Sequence, residues 1–417
     1  MDTTNTPTPS VQRKPLSVKV LAFCTIVFLA CQIALPVLLH YINLIDPTSG
    51  AGLNIPSAIS FGVLAICATF ALTLCRRPLF LTCSVIGLAV SFLISPWLCA
   101  LFAALLCAIV SGAALLADAK GAAFLPFSIA APAAFGLSLL LTQNLMLSLL
   151  SLLPALGALA LAVSFRNKLS LIVSIGTVTG TLVGAFVLLI LGNLMLAGMP
   201  LSAEGITTAV GSFHASVSQI FAEALQMMAD TPELAAQVEQ MLGGQLDAKT
   251  ITEFSESISY AVLGLLPGCV IMLTWLISFT ANRGFTAVLL HGQPKEACPE
   301  HLSQYAPSVP TAVLMILCYA VLLICSMIPA AEVVVFIALN LLCVLMPILA
   351  IMGISITITN VKRAPVKWPL ILTYVIAFLF LGVAIIPMLA FFGAFGVIMQ
   401  VLAKVIEKKM KDSQGDN

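Results

Sequence analysis

Long apolar runs separated by brief polar punctuation fill most of this chain, and a bilayer crossing needs about 20 such residues in a helix. Charge, proline and glycine divide the runs into spans at roughly 17–41 and 57–75, the latter stopped by Arg76, Arg77 and Pro78. The run 79–117 is too long for one crossing and divides at Ser95-Pro96-Trp97. The run 122–164 divides at Thr142-Gln143-Asn144 and is closed by Arg166 and Lys168. A seventh span occupies about 169–197, an eighth 257–280, a ninth 309–329 and a tenth 333–359. The last run, 369–403, holds Pro387 near its middle and is read as two short spans, which makes about twelve transmembrane helices.

Between spans seven and eight the pattern changes. Residues 199–256 carry Glu204, Glu223, Asp230, Glu233, Glu239, Asp247, Glu253 and Glu256 against Lys249 alone. Within them Ile206, Val210, Phe213, Val217, Ile220, Ala224 and Met227 recur at alternating intervals of four and three, the spacing of one apolar stripe on a helix ending near Ala229. Thr231-Pro232-Glu233 reads as the start of a second helix stopped by Gly243-Gly244. Thr250 and Glu253 have capping-box spacing, and the helix they open continues into span eight. The expected fold is therefore all-α: an N-terminal bundle of about seven spans (1–198), an external acidic helical segment (199–256), and a C-terminal bundle of about five spans with a basic tail (257–417). The stripe needs a cover, for which the segment's own helices are the default.

Orientation follows from the basic residues, which are retained on the cytoplasmic side of span ends. Seventeen of the 18 Lys and Arg fall on one side of a twelve-span chain, and Lys249 is the exception. Both termini are expected in the cytoplasm of a bacterium, with the acidic segment outside. Composition agrees with a bilayer as the main partner, since 61% of residues are hydrophobic and 8% charged. No stretch is basic enough for nucleic acid. Eleven of the twelve cysteines lie in apolar runs, where a thiol behaves as a small hydrophobe, and a disulfide framework is not expected.

Candidate chemistry is sparse. Ionisable side chains deep in spans are costly and mark ion or proton pathways; here they are almost absent, leaving Asn193 and Asn340 as the polar side chains to weigh as substrate contacts or interhelical bonds. Gly176, Gly180 and Gly184 form a small-residue ridge on span seven, and Ala100, Ala104, Ala108 and Gly112 form an edge on span four, both suited to close helix packing. The runs 122–164 and 369–403, interrupted by proline and glycine, are pointers to a transport site, because such sites are built where helices break. His291, Glu296, Cys298, Glu300 and His301 include one Cys-x-x-His pair, too little for a metal site. No Walker A loop, His-Glu-x-x-His or Gly-x-Ser-x-Gly occurs, so no enzyme class has an anchor and no cofactor is implied.

The stretch from Leu265-Leu266-Pro267 to Asn282-Arg283, then Leu345-Met346-Pro347, Gly353 and the basic stop Lys362-Arg363, resembles the YybS-like family of bacterial multi-pass membrane proteins over about 255–410. The closing span departs from that pattern, since Gly393-Ala394-Phe395-Gly396 leads to Val397 and Ile398 where the family carries an acid and an arginine. The resemblance implies a membrane region akin to the substrate-binding S component of energy-coupling factor transporters, in which six helices bind a small molecule and dock on a separate energising subunit. Spans one to six would be that bundle and the small edge of span four its docking face. The alternative expectation is a membrane scaffold or envelope-assembly protein that binds a partner through the external helices; a lipid-handling enzyme is a weaker third.

Overall fold

A computed structural model of the chain describes residues 16–44, 62, 65–70, 96–117, 124–230, 240, 248–289, 308–325, 328, 331–363, 365–366, 368–369, 372–373, 376 and 385–414. Among these the regular structure is helical throughout. The elements are α1 (Val18–Leu44), α2 (Pro96–Ala117), α3 (Phe124–Thr142), α4 (Leu145–Leu149), a 3-10 turn at Leu150–Leu152, α5 (Leu153–Arg166) and α6 (Leu171–Leu196), followed by α7 (Ala203–Ala229), α8 (Ala248–Leu289), α9 (Val309–Cys325), α10 (Glu332–Arg363) and α11 (Ile385–Gln414). Among the described residues eight helical stretches are long and apolar enough to cross a membrane, and α9 at 17 residues is slightly shorter. Leu140, Leu188, Leu323 and Val333 are each about 70% exposed, an outer surface suited to lipid rather than water. The fold is thus that of an all-α polytopic membrane protein. Predicted span three, the helix at 232–242 and the loop 291–307 lie outside the described residues.

The chain forms two compact units, 1–189 with 274–305, and 190–273 with 306–417. In the first, α2 is the central helix, packed between α1 and α5. Its alanines let the neighbours approach: Ala100, Ala104 and Ala108 have no exposed surface, and a Cβ on Gly112 would meet the Phe28 ring and Ala158. Arg166, in the last turn of α5, donates to the Leu116 carbonyl at the end of α2, where the helix has run out of its own donors. The second unit is built on α10, which packs on α11 and α9. There Gly353 and Gly393 face the carbonyls of Leu389 and Leu349 so closely that neither helix has room for a Cβ.

The predicted break at Thr142-Gln143-Asn144 is real. Gln143 takes a left-handed backbone (φ 50), and the Asn144 side chain caps α4 by accepting from the amides of Met146 and Leu147 at 3.0 and 3.1 Å. Pro154 opens α5, and the chain tightens to 3-10 geometry just before it. Pro387 falls at the third residue of α11, a first-turn position where a missing N–H costs nothing. The division of 369–403 into two spans rests partly on residues outside the description.

Two features of the acidic segment differ from expectation. The helix leading into span eight is already formed at Ala248, so Thr250 lies inside its first turn rather than at the cap, and Glu253 pairs with Lys249 at 3.6 Å. Helix α7 does end at Ala229, but the face it buries is not the predicted stripe. Leu225 packs with Ile251, flanked by Ala222, Met228 and Phe254, while the His214 ring lies 4.0 Å from the Tyr260 ring, tilted by 40°, and the His214 carbonyl accepts from Ser259. These pairings run antiparallel and make a hairpin of α7 with the outer part of α8. Ile206, Val210, Phe213, Ile220 and Met227 stay exposed. The apolar arc of α7 is wider than one partner helix can cover, and α8 takes the side rotated toward His214 and Leu225. With 42 residues α8 is about 63 Å long, roughly twice the thickness of the hydrocarbon core, so it serves both the hairpin and a span.

Candidate functional site

A hydrophobic bundle that encloses polar side chains must satisfy them internally, because no water is at hand. In the first unit Gln32, on α1, has no exposed surface. Its Nε2 donates to the Ser151 carbonyl at 3.0 Å, in the 3-10 turn between α4 and α5. The Ser151 hydroxyl donates to the Ser148 carbonyl at 2.7 Å, and the Ser148 hydroxyl meets Thr142 Oγ1 at 3.1 Å. Thr142 in turn donates to the Ser138 carbonyl at 2.8 Å. Ser138, Thr142, Ser148 and Ser151 are all buried. The chain of bonds therefore joins α1 to the broken helix across 142–153 and runs from Gln32 to Ser138.

Both ends of this network are open. Gln32 Oε1 and Ser138 Oγ are buried with no hydrogen-bond partner among the described residues. An unmet buried acceptor or hydroxyl costs about 1–3 kcal/mol, so such atoms mark a place where something else is bound or where strain is stored. Next to the network, Phe28 stacks on Phe127 with ring centroids 5.1 Å apart, walling it with aromatic surface. The Cys67 thiol donates to the Ala103 carbonyl. Among the described residues no group of three His, Cys, Asp or Glu is arranged to hold a metal ion.

The second unit holds a polar insertion of the opposite kind. Pro267 interrupts the donor series of α8, and the Asn340 carboxamide of α10 reaches across that turn. Its Nδ2 donates to the carbonyls of Gly264 and Phe336, and its Oδ1 accepts the Gly268 N–H at 2.6 Å. Gly264 and Gly268 are the groups that would pair with each other in a regular helix; the side chain bridges them. Glycine is needed at both positions, since a Cβ on Gly264 would strike the Phe336 ring and one on Gly268 would lie 2.7 Å from Asn340 Oδ1. Asn340 thus has both amide hydrogens committed to backbone carbonyls. Asn193 is exposed near the end of α6, so the two asparagines do not share this arrangement.

The small-residue positions also separate. The edge Ala100, Ala104, Ala108 and Gly112 is spent on contacts inside the first unit, which corrects its expected use as a docking face for another subunit. Among the described residues Gly176, Gly180 and Gly184 have nothing within 4 Å of where a Cβ would be, and α6 buries instead the face of Ser174, Ile175, Val178, Thr179 and Leu182. The sequence pointed at 122–164 as a broken run but not at Gln32; a lone glutamine in the middle of the first apolar run was the available signal. Compared with known proteins, the chain matches no family model, no curated protein and no solved structure.

Proposed function

We propose that this chain is a small-molecule-binding membrane protein related to transport, comparable to a substrate-binding S component, and that the network from Gln32 to Ser138 is its site. The single observation that carries this is the unmet Gln32 Oε1, buried at a helix break inside an apolar bundle. Discontinuous helices whose backbone and hydroxyl groups point inward are how transporters hold polar ligands without ionised side chains. The protein binds without catalysing; the energy for transport would come from a separate subunit docked on a face other than the α2 edge. The YybS-like resemblance, placement in a bacterial cytoplasmic membrane and cytoplasmic termini belong to the same proposal. Affinity purification from the native membrane tests it: an energising subunit and a bound small molecule are expected, and recovery of neither overturns it.

One observation favours a second reading, a scaffold that binds a partner through the external helices. Val210 and Phe213 are each about half exposed on α7, beside the face that α8 covers. Under that reading Val210→Glu with Phe213→Glu abolishes partner binding and leaves the Gln32 site untouched; under the first reading ligand binding follows Gln32 alone.

A further inference from the structure

The orientation of the Gln32 amide is set by chemistry. The Ser151 carbonyl can only accept, so Nε2 must face it and Oε1 must point the other way, as an acceptor awaiting a donor. At the opposite end, Ser138 differs from its neighbours. Ser111, Thr142 and Ser151 turn their hydroxyls back onto carbonyls three or four residues earlier, the usual self-satisfaction of a hydroxyl in an apolar helix, whereas the Ser138 hydroxyl makes no such bond. Its donor and its acceptor are both available to something that is not this helix.

Charge limits what that something is. Outside the cysteine thiols and Tyr41, the described residues of α1, α3, α4 and α5 include Lys19 in the first turn of α1, His40 near its other end, and Arg166, which is taken by the Leu116 carbonyl; α8 adds Arg283 to the same unit, its guanidinium over the Phe279 ring. Lys19 is about 20 Å of helix from Gln32, and His40 about 12 Å. An ion in a dry bundle without an adjacent countercharge is rejected by desolvation. Resting on the reading of this bundle as a binding site, we infer that the network is completed by small, electrically neutral occupants, donating an O–H or N–H to Gln32 Oε1 at one end and bonding the Ser138 hydroxyl at the other. Two sources share that chemistry: an uncharged polar solute and trapped water.

The test uses the full chain purified in detergent, as wild type, Ser138→Ala and Gln32→Met. Thermal unfolding is followed for each, and small molecules released on denaturation are identified by mass spectrometry. Because Ser138 Oγ has no partner among the described residues, Ser138→Ala is expected to lower the unfolding temperature through loss of the occupant; an unchanged or raised temperature overturns the inference. A neutral molecule with a hydrogen-bond donor, released by wild type at about tenfold the level from Gln32→Met, upholds it with solute as the source. A lowered temperature with nothing released upholds it with water as the occupant, and overturns solute binding at this site. Enrichment of a charged molecule supports a binding site and overturns the neutral-occupant inference.

Discussion

Gln32 and Asn340 each carry an amide side chain into an apolar helix bundle, and they are left in opposite states. Asn340 gives both hydrogens to backbone carbonyls and takes an amide hydrogen at its oxygen, closing the turn that Pro267 would otherwise weaken. Gln32 spends its nitrogen on one carbonyl and leaves its oxygen unmet. Both residues look alike as polar positions in apolar runs. What separates a structural amide from a candidate binding amide is the count of satisfied hydrogen bonds, and that count depends on which neighbouring helix offers a group. Asn340 reads as a clasp; Gln32 reads as half of a contact.

Substitutions at the clasp should have the largest effects. Gly268→Ala drives a Cβ against Asn340 Oδ1 and its Cα, where little gives way, and should cost about 3 kcal/mol by equilibrium unfolding in detergent. Asn340→Leu, which removes all the bridging bonds at once, should cost about 2 kcal/mol, with hydrogen exchange rising at the Gly268 amide. If either change is silent, α8 does not depend on the side-chain bridge and the contrast with Gln32 fails. Ser138→Ala sharpens the other half: a loss of about 1 kcal/mol is expected if its hydroxyl has an occupant to bond. Smallest should be Gly180→Ala and Asn193→Leu, each within about 0.5 kcal/mol by the same unfolding measurement, because both positions are exposed and the glycine has free space beside it.

The hairpin of α7 and α8 offers a parallel lesson about periodicity. Intervals of four and three correctly marked α7 as a helix with an apolar side and placed its end at Ala229. They did not say which part of a wide apolar arc would meet a partner. Contact with α8 runs through His214, Ala222, Leu225 and Met228, while Ile206, Val210 and Phe213 remain exposed. A glycine ridge behaves likewise: small residues permit close approach, as at Gly112, Gly353 and Gly393, but among the described residues nothing approaches Gly176, Gly180 or Gly184.

By itself the sequence determined that this protein is helical and membrane-embedded, where the helix at 142–144 breaks, and that α8 runs unbroken from the acidic segment into a span. Each of these is local: apolar run length, a capping asparagine, and the absence of a helix stop between Ile251 and Val262 are properties of neighbouring residues. Tertiary structure alone decided that Gln32 and Ser151, 119 residues apart, share a hydrogen bond, that Asn340 bridges Gly264 and Gly268, and that the α2 edge is interior. Hydrogen-bond satisfaction in a bilayer is a property of pairs of helices, and no single run of residues records which pairs will form.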